Sequence, residues 1–325
     1  MRATTPEVTW TTAVPSLLGA TALVVTSPQA RTAAETAGMR LGTHRITNVA
    51  GASTADLSGV QQVVAVGGGA VTDAAKIVAF DAGLPLTVVP TVLSTDAPFS
   101  TVAAVRRGDV VTYVDTGAAD QVQLCSQVLR HAPWVSHLYG LGDLLAIESA
   151  TRDWRARLPD GISAVREAAR ALVTTALDQA ALWREPSQPG CELLVELLRA
   201  KVALGLTAGH PWAEEGTEHY LAYLLEPLLP RPVWHGQLLL ACLPVCAVLQ
   251  DWDTRTVGSF RRFLSTLPGL APAGVDLLPP PTLRTALARL PKYCRRHHLD
   301  NTLLDDAHLT NELLQHATDA WERGW

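Results

Sequence analysis

The chain has 325 residues, of which 48% are hydrophobic and 18% charged, and its formal net charge is −5. This length suffices for a large core divided between two domains, and the composition is typical of a soluble globular protein. The acidic balance and the scattered basic residues argue against nucleic-acid binding, and no apolar run is long enough to cross a membrane. The apolar run from Leu17 to Val25 is interpreted as a strand rather than a signal peptide, because no basic cluster precedes it.

The first part of the chain alternates short strands and helices. The pattern predicts strands over 21–26, 44–49, 63–66 and 86–89, helices over 28–38 and 72–82, and a hairpin of 102–105 with 110–114. Such alternation is typical of a mainly parallel sheet covered on both faces. We therefore expect an α/β, Rossmann-like nucleotide-binding domain over residues 1–122.

From residue 123 the pattern changes to long amphipathic helices separated by Pro and Gly. They are predicted over 123–133, 141–155, 162–185, 190–207, 214–228, 235–250, 256–266, 281–295 and 303–322. Residues 123–325 are therefore expected to form an all-α domain, with a cleft between it and the first domain.

The most distinctive segment joins an apolar strand to a helix through Gly67, Gly68 and Gly69, with Asp73 and Lys76 on the helix. A turn of this kind directs unblocked N–H groups, and the positive end of the helix dipole, at one place that suits a pyrophosphate. The structural alternative is a tight β–α turn that is rich in glycine and binds nothing.

Three residues of the helical part are candidate metal ligands. Asp143 is expected to open a helix, His219 to lie early in another, and His235 to begin a third after a proline-rich turn. One carboxylate and two imidazoles leave a coordination position open, as catalytic divalent sites do. Each residue also has an ordinary structural explanation: Asp143 and His235 as polar residues at helix N-termini, and His219 as a satisfied, half-buried histidine.

These motifs, in this order, resemble the superfamily of iron-containing alcohol dehydrogenases, glycerol dehydrogenase, sn-glycerol-1-phosphate dehydrogenase and 3-dehydroquinate synthase. The segment 67–76 resembles the family's Gly-Gly-Gly-x-x-x-Asp-x-x-Lys loop, and 90–98 is similar to the glycerol dehydrogenase segment beside the nicotinamide. Gly142-Asp143-Leu144 matches the first metal ligand, and His219 and His235, sixteen positions apart, match the two histidines. The likeness runs from about Thr21 to Val245 and implies a dehydroquinate synthase-like fold.

The resemblance also implies roles for individual residues. The dinucleotide phosphates would be held by Gly67, Gly68, Gly69 and Asp73. Thr91 and Ser94 would contact the nicotinamide half, and Asp96 the substrate hydroxyls. Asp143, His219 and His235 would bind Zn²⁺ or Fe²⁺.

Four positions depart from the family pattern. Ile147 stands where iron-type members have a fourth ligand, which favours a three-ligand, zinc-type site. Tyr223 replaces a second active-site histidine and is the candidate proton relay, and Gln237 replaces a glutamate. Ser27 stands where many NAD-dependent relatives have an aspartate against the ribose, so that either NAD or NADP fits.

The resemblance predicts a metal-dependent, NAD(P)-linked dehydrogenase or reductase of a small polyol, hydroxyaldehyde or polyol phosphate. A sugar phosphate cyclase like 3-dehydroquinate synthase, or a catalytically silent relative, remain as alternatives. Five cysteines without a Cys-x-x-Cys pair indicate reduced thiols in a cytoplasmic protein. We expect a small-molecule substrate and a homo-oligomer, with neither nucleic acid nor membrane as a partner.

Overall fold

The structure is a computed structural model and describes residues 5–13, 21–41, 44–157, 163–209, 215–267, 269–270, 273–299, 302–305 and 309–325. The chain divides into two compact units. The first ends at His137 and the second begins at Leu138, with the hairpin turn Gly108–Val110 grouped with the second unit. This division lies beyond the expected one at 122/123, because a strand of the sheet runs across that point.

The first unit is built on a six-stranded parallel sheet. Its strands are β1 (Glu7–Thr11), β2 (Ala22–Thr26), β3 (Arg45–Thr47), β4 (Gln62–Gly67), β5 (Leu86–Pro90) and β8 (Gln121–Cys125), in the order β1-β8-β5-β4-β2-β3. The strands β6 (Val102–Arg107) and β7 (Val110–Asp115) pair separately as the predicted hairpin. The central strands are β-branched and almost wholly buried, as expected for a parallel sheet covered on both faces.

Local sequence explains the helices that connect these strands. Helix α1 (Pro28–Thr36) begins with proline after the N-cap Ser27, whose hydroxyl accepts a hydrogen bond from the Ala30 amide. Helix α2 (Gly69–Ala82) follows the glycines and ends at Gly83, which adopts the left-handed conformation (φ 64°).

Two sequence-based assignments in this unit, one at its start and one near its end, were incomplete or wrong. Strand β1 was not predicted. The predicted helix 123–133 is instead the end of β8 followed by the short helix α3 (Ser126–Leu129). Alternating burial along Gln121–Cys125 and pairing with both β1 and β5 decided in favour of the strand.

The second unit is helical, as predicted. Its helices are α4 (Trp134–Leu145, which begins in the first unit), α5 (Ile147–Arg157), α6 (Ser163–Asp178), α7 (Gln188–Ala208), α8 (Thr217–Leu225), α9 (His235–Leu249), α10 (Thr254–Ser265), α11 (Pro280–His297) and α12 (Asn311–Arg323). Helix α9 is the most apolar and is buried along almost its whole length. Among the described residues, no helix combines the length and the apolar character that a bilayer crossing requires. The α/β unit and the helical unit confirm the predicted fold class.

Candidate metal centre and glycine turn

Two glycines allow α4 and α9 to touch through their backbones. A Cβ atom at Gly142 would overlap the carbonyl oxygen of Gly236, and a Cβ at Gly236 would overlap the carbonyl oxygen of Tyr139. Neither position can therefore hold a side chain without separating the helices. Each glycine adjoins a candidate ligand in the sequence, Asp143 on α4 and His235 on α9, so this close approach brings the two ligands together.

The three predicted ligands converge. Donor atoms of Asp143, His219 and His235 all lie within 4.8 Å of one another. The imidazole centroids of His219 and His235 are 5.1 Å apart, and Nε2 of His219 is 3.8 Å from Oδ1 of Asp143. Asp143 and His219 are buried. His235 begins α9 and His219 lies in the first turn of α8, as expected, but Asp143 lies in the last turn of α4 instead of opening a helix.

Glu218 orients the His219 ring. Its Oε1 accepts hydrogen bonds from Nδ1 of His219 and from the amide of Gly216, both at 2.9 Å. A carboxylate that accepts from one imidazole nitrogen fixes the tautomer and leaves the other nitrogen as the ligand atom. Nε2 of His219 consequently faces Asp143. Glu218 is fully buried, and no group among the described residues bonds its other oxygen, Oε2.

Positively charged groups surround the carboxylate of Asp143. Nζ of Lys201, from α7, lies 2.7 Å from Oδ1 of Asp143, and both side chains are buried. Burial opposes ionisation of Asp143, but Lys201 and the two histidines hold its pKa well below the usual range. Burial also opposes the charged form of His219, yet hydrogen bonds to Asp143 and Glu218 raise its pKa to about 10.

The set of donor atoms at this place fits a divalent cation. The cluster supplies one carboxylate and two imidazoles, the ligand types that Zn²⁺ and Fe²⁺ accept, and its carboxylates attract positive charge to the imidazole between them. Ile147, at the position of the fourth ligand in iron-type relatives, is apolar and fully buried. The donor set is therefore limited to these three residues among the groups that the structure describes.

Tyr223 forms one wall of the cluster. Its ring stacks on His235 at 6.4 Å and meets His219 edge-on at 5.9 Å, and the side chain is 3% exposed. The predicted catalytic tyrosine is thus in contact with both imidazoles. A role of its hydroxyl in proton transfer stays a prediction.

The glycine turn lies at the carboxyl edge of the sheet. Gly67 pairs with Pro90 across β4 and β5, and Val66 pairs with Thr26, so the segments that follow all three strands meet at one edge. A Cβ at Gly67 would lie 2.7 Å from Val71, and one at Gly69 would lie 2.7 Å from Thr95. Close packing of the turn therefore disfavours a side chain at Gly67 and at Gly69.

The first turn of α2 keeps its amides free of a side-chain cap. Gly68 is the N-cap residue and offers no capping side chain to the amides at the positive end of the helix dipole. The Thr91 amide donates to the carbonyl of Gly67 at 3.1 Å, which places the 91–98 segment beside the turn. Thr91 and Ser94 are both buried.

Lys76 fixes this segment. Its Nζ donates to the carbonyls of Ala97, Ser100 and Val102 and to the Ser100 hydroxyl, at 2.7 to 2.9 Å. Burial lowers the pKa of Lys76 to about 8, although the carboxylates of Asp73 and Asp96 oppose the shift. The ammonium group thus bonds the loop that carries Asp96.

The predicted contact of Asp73 with the dinucleotide phosphates stays a prediction. In the structure the Asp73 carboxylate accepts from the amide of Ala104 in the hairpin and faces Lys76. Burial raises the pKa of Asp73 to about 7, with Lys76 and Ala104 opposing. Ser27, the other polar candidate, has its hydroxyl engaged as the cap of α1.

Sequence reasoning missed three buried polar residues at these sites. Lys201 and Glu218 contact the ligands directly, and His137 bonds the amide of Leu93. The scarcity of lysine was a usable signal for Lys201, since only Lys76, Lys201 and Lys292 occur. For Glu218, the usable signal was its position directly before His219 in the sequence. His137 has no local signal, because its partners Leu93 and Leu129 belong to other elements.

Comparison with known proteins finds a likeness to one family over the first part of the chain. Residues 21–133 match the model of the family described as iron-containing alcohol dehydrogenase. A glycerol-1-phosphate dehydrogenase of Methanothermobacter thermautotrophicus is 29% identical over 186 residues, 56% of this chain and 53% of the relative. One from Sulfurisphaera tokodaii is 30% identical over 56% of this chain and 53% of the relative. The chain spans about half the length of the curated relatives it matches.

Solved structures extend the likeness over the whole chain. A probable glycerol dehydrogenase from Sinorhizobium meliloti has a TM-score of 0.71 at 21% identity and covers 99% of both chains. Sulfoacetaldehyde reductase from Bifidobacterium kashiwanohense, solved in complex with NAD+, has a TM-score of 0.63 at 13% identity, covering 100% of this chain and 98% of its own. At these identities the likeness shows the fold. Together with the family match, it confirms the resemblance that the motifs indicated.

Proposed function

We propose that this chain, whose first part matches the iron-containing alcohol dehydrogenase model, is a metal-dependent, NAD(P)-linked dehydrogenase or reductase of a small polyol, hydroxyaldehyde or polyol phosphate. The observation that carries the proposal is the convergence of Asp143, His219 and His235 within 4.8 Å. These residues come from three separate helices, and their donor atoms meet at a place where Asp143 and His219 are buried and His235 is half-buried.

Asp143, His219 and His235 would hold the cation, and three protein ligands favour Zn²⁺, with Fe²⁺ as the alternative. When bound, such an ion supplies a Lewis acid that favours loss of the proton from a substrate hydroxyl or polarises a carbonyl. Glu218 keeps Nε2 of His219 directed at the cation site. The Tyr223 ring excludes water from one side of both imidazoles, and its hydroxyl is the candidate group for moving the substrate proton.

The turn at Gly67, Gly68 and Gly69 would hold the dinucleotide pyrophosphate on the amides of α2. Ser27, Asp73, Thr91 and Ser94 belong to the same proposed dinucleotide site. Ser27 adds no carboxylate to oppose a 2′-phosphate, so both NAD and NADP fit the proposal. A nicotinamide supplies the hydride acceptor or donor. Asp96, held by the loop that Lys76 bonds, would accept hydrogen bonds from substrate hydroxyls.

The proposal extends to the setting of the enzyme. All five cysteines are free thiols, and four of them are buried, which supports a reducing, cytoplasmic location. The expected homo-oligomer is tested by light scattering of the purified protein, which gives the mass of the particle in solution.

The experiment measures bound metal and nicotinamide absorbance in parallel. The purified protein is analysed for zinc and iron and then assayed with NAD or NADP against polyols, polyol phosphates and hydroxyaldehydes. We expect about one divalent ion per chain and net turnover of nicotinamide. His235→Ala removes one proposed ligand, so this variant should lose both the bound metal and the nicotinamide turnover. His316→Ala changes an exposed histidine on α12 and should retain both.

Other results would select a different function. Release of phosphate from a sugar phosphate without net cofactor change would point to the cyclase alternative. Absence of metal after growth with zinc and iron, together with no turnover, would point to a catalytically silent relative. Turnover that His235→Ala leaves unchanged would overturn the proposed role of the cluster.

A further inference from the structure

We propose that Asp153 is a positioning residue for the metal ligand His219, and that it connects the ligand-bearing helix α8 to the C-terminal part of the chain. This inference rests on the metal centre proposed above. It concerns a carboxylate on α5 that belongs neither to the ligand set nor to the dinucleotide site.

Asp153 accepts hydrogen bonds from two segments that are distant in sequence. Its Oδ2 accepts from the Thr217 amide at 2.7 Å, and its Oδ1 accepts from the Thr217 hydroxyl at 3.1 Å. The same Oδ1 accepts from the Leu303 amide at 3.0 Å. Asp153 is 1% exposed, so these bonds are made in the interior.

These contacts fix the start of α8. Thr217 is the first residue of the helix, and the residue before it, Gly216, supplies no capping side chain. Asp153 therefore caps α8 from another helix, and its negative charge lies at the positive end of the helix dipole. His219 lies two residues further on, and Glu218, which orients its ring, lies between them.

Gly216 allows the carboxylate to come this close. A Cβ at Gly216 would lie 2.5 Å from Oδ2 of Asp153 and 2.9 Å from the Cα of Ala150 on α5. Any larger residue would push α8 away from α5. The glycine and the carboxylate together set the distance from α5 to the turn that carries His219.

Asparagine cannot replace this carboxylate. All three partners of Asp153 act as hydrogen-bond donors: two backbone amides and one hydroxyl. An amide side chain must direct its NH₂ group at either the Thr217 or the Leu303 amide, which puts two donors face to face. The substitution is nearly isosteric, so its effect reports the bonds and the charge rather than the volume.

The last part of the chain carries no recognised motif. The hydrogen bond from the Leu303 amide to Asp153 connects it to the proposed metal centre. Leu303 begins a short 3₁₀ turn that packs against α5, while α11 packs on α8 and α12 packs on α9. The fully buried Trp321 anchors α12, since its ring lies flat against Gly274 and its Nε1 donates to the carbonyl of Leu278. Helices α8 and α9, which carry the candidate ligands His219 and His235, are thus supported by C-terminal helices.

The test compares Asp153→Asn with Asp56→Asn as the control. Asp56 also accepts from the amide and the hydroxyl of one residue, Ser58, but at an exposed position of the first unit. Apo protein is titrated with Co²⁺ at about pH 7.5, above the pKa of Asp153, which burial and the Glu218 carboxylate raise to about 7. The ligand-field absorption of bound Co²⁺ gives both the affinity and the coordination geometry.

We expect Asp153→Asn to weaken Co²⁺ binding by about 10- to 100-fold and to change the absorption spectrum. Asp56→Asn should leave both the affinity for Co²⁺ and the absorption spectrum unchanged. An Asp153→Asn protein with wild-type affinity and spectrum would overturn the inference while the proposed metal centre stands. Wild-type protein that fails to bind Co²⁺ would overturn both.

A second pair of variants covers the case in which Asp153→Asn does not fold. Thr217→Val removes only the hydroxyl donor to Asp153, whereas Thr217→Ser retains it. We expect Thr217→Val to weaken Co²⁺ binding severalfold and Thr217→Ser to restore it. Equal affinity in the two variants would contradict the proposed link between Asp153 and His219.

Discussion

At the residue scale, His137 shows how a buried side chain can hold a loop without taking part in binding. Its Nδ1 accepts a hydrogen bond from the Leu93 amide at 3.1 Å, and its Nε2 donates to the carbonyl of Leu129 at 3.0 Å. Only the neutral imidazole can make both bonds, because the protonated ring has no acceptor. His137 thus links the loop after β5 to the end of α3.

This arrangement predicts a loss of stability in acid. Burial lowers the pKa of His137 to about 4, although the bond to Leu129 opposes the shift. The unfolded chain therefore binds the proton first, and stability falls as pH decreases from about 6.5 to about 4, by an amount on the order of 3 kcal/mol. Urea unfolding across this pH range measures the slope.

The matching variants isolate the residue. His137→Gln keeps an amide that can accept and donate but cannot titrate, so part of the acid-dependent slope should disappear. His131→Gln, at an exposed position close by, should retain the slope. The same slope in both variants would show that other groups cause the acid sensitivity.

Tyr223 separates two roles that one side chain can combine. The ring packs on both imidazoles, while the hydroxyl is the proposed proton relay. Tyr223→Phe keeps the ring, so we expect unchanged metal affinity and a kcat about 10²-fold lower. Tyr223→Ala should weaken metal binding as well. If Tyr223→Phe retains full kcat in steady-state assays, the hydroxyl has no part in proton transfer.

At the element scale, the crossing of α4 and α9 is the contact on which the proposed metal centre depends. The two helices meet at Gly142 and Gly236, where backbone touches backbone. Asp143 directly follows Gly142, and His235 directly precedes Gly236. Any separation of the two helices therefore also separates these two candidate ligands. The glycines matter here for their lack of a side chain rather than for backbone freedom.

Gly236→Ala should therefore be strongly destabilising. The new methyl group would overlap the Tyr139 carbonyl oxygen, so the helices must separate at a cost of about 1–3 kcal/mol and with weaker metal binding. Gly258→Ala, in α10, is the control, because its Cβ would meet nothing nearer than Arg262 at 3.4 Å. That change should be neutral or stabilising by about 0.5–1 kcal/mol.

Thermal unfolding of the two variants measures both effects, and Co²⁺ titration measures the ligand geometry. A Gly236→Ala protein that binds Co²⁺ as tightly as the wild type would show that the close helix contact is not what brings the ligands together.

At the scale of the whole molecule, the metal should stabilise one unit and not the other. All three proposed ligands belong to the helical unit, so only the folded form of that unit presents the complete set. A ligand at about 100 times its Kd stabilises the binding-competent state by about 2.7 kcal/mol. Calorimetry with Zn²⁺ and with a chelator should shift the transition of the helical unit alone.

His235→Ala should abolish that shift, since two remaining ligands bind a cation weakly. A shift that persists in His235→Ala, or that occurs equally in both units, would place the stabilising metal elsewhere.

Much of the fold could be predicted because its signals are local. The alternation of β-branched strands and helices, and the prolines and glycines between the helices, depend on residues that are close together in the sequence. Predictions failed where the pairing of strands that are distant in sequence determined the secondary structure. The segment after residue 122 has mixed apolar and polar residues that also suit a helix, but Gln121–Cys125 completes the sheet between β1 and β5.

The sequence by itself determined the glycine turn and the order of the two units, because each is written in a short motif or a periodic pattern, and the family resemblance gave the three candidate ligands. Only the tertiary structure decided that Lys201 pairs with Asp143, that Asp153 joins Thr217 to Leu303, and that His137 holds Leu93. Those contacts join residues from 44 to 150 positions apart. Partners so distant leave no periodic trace in the chain, since burial and hydrogen bonding pair them only once the helices have packed.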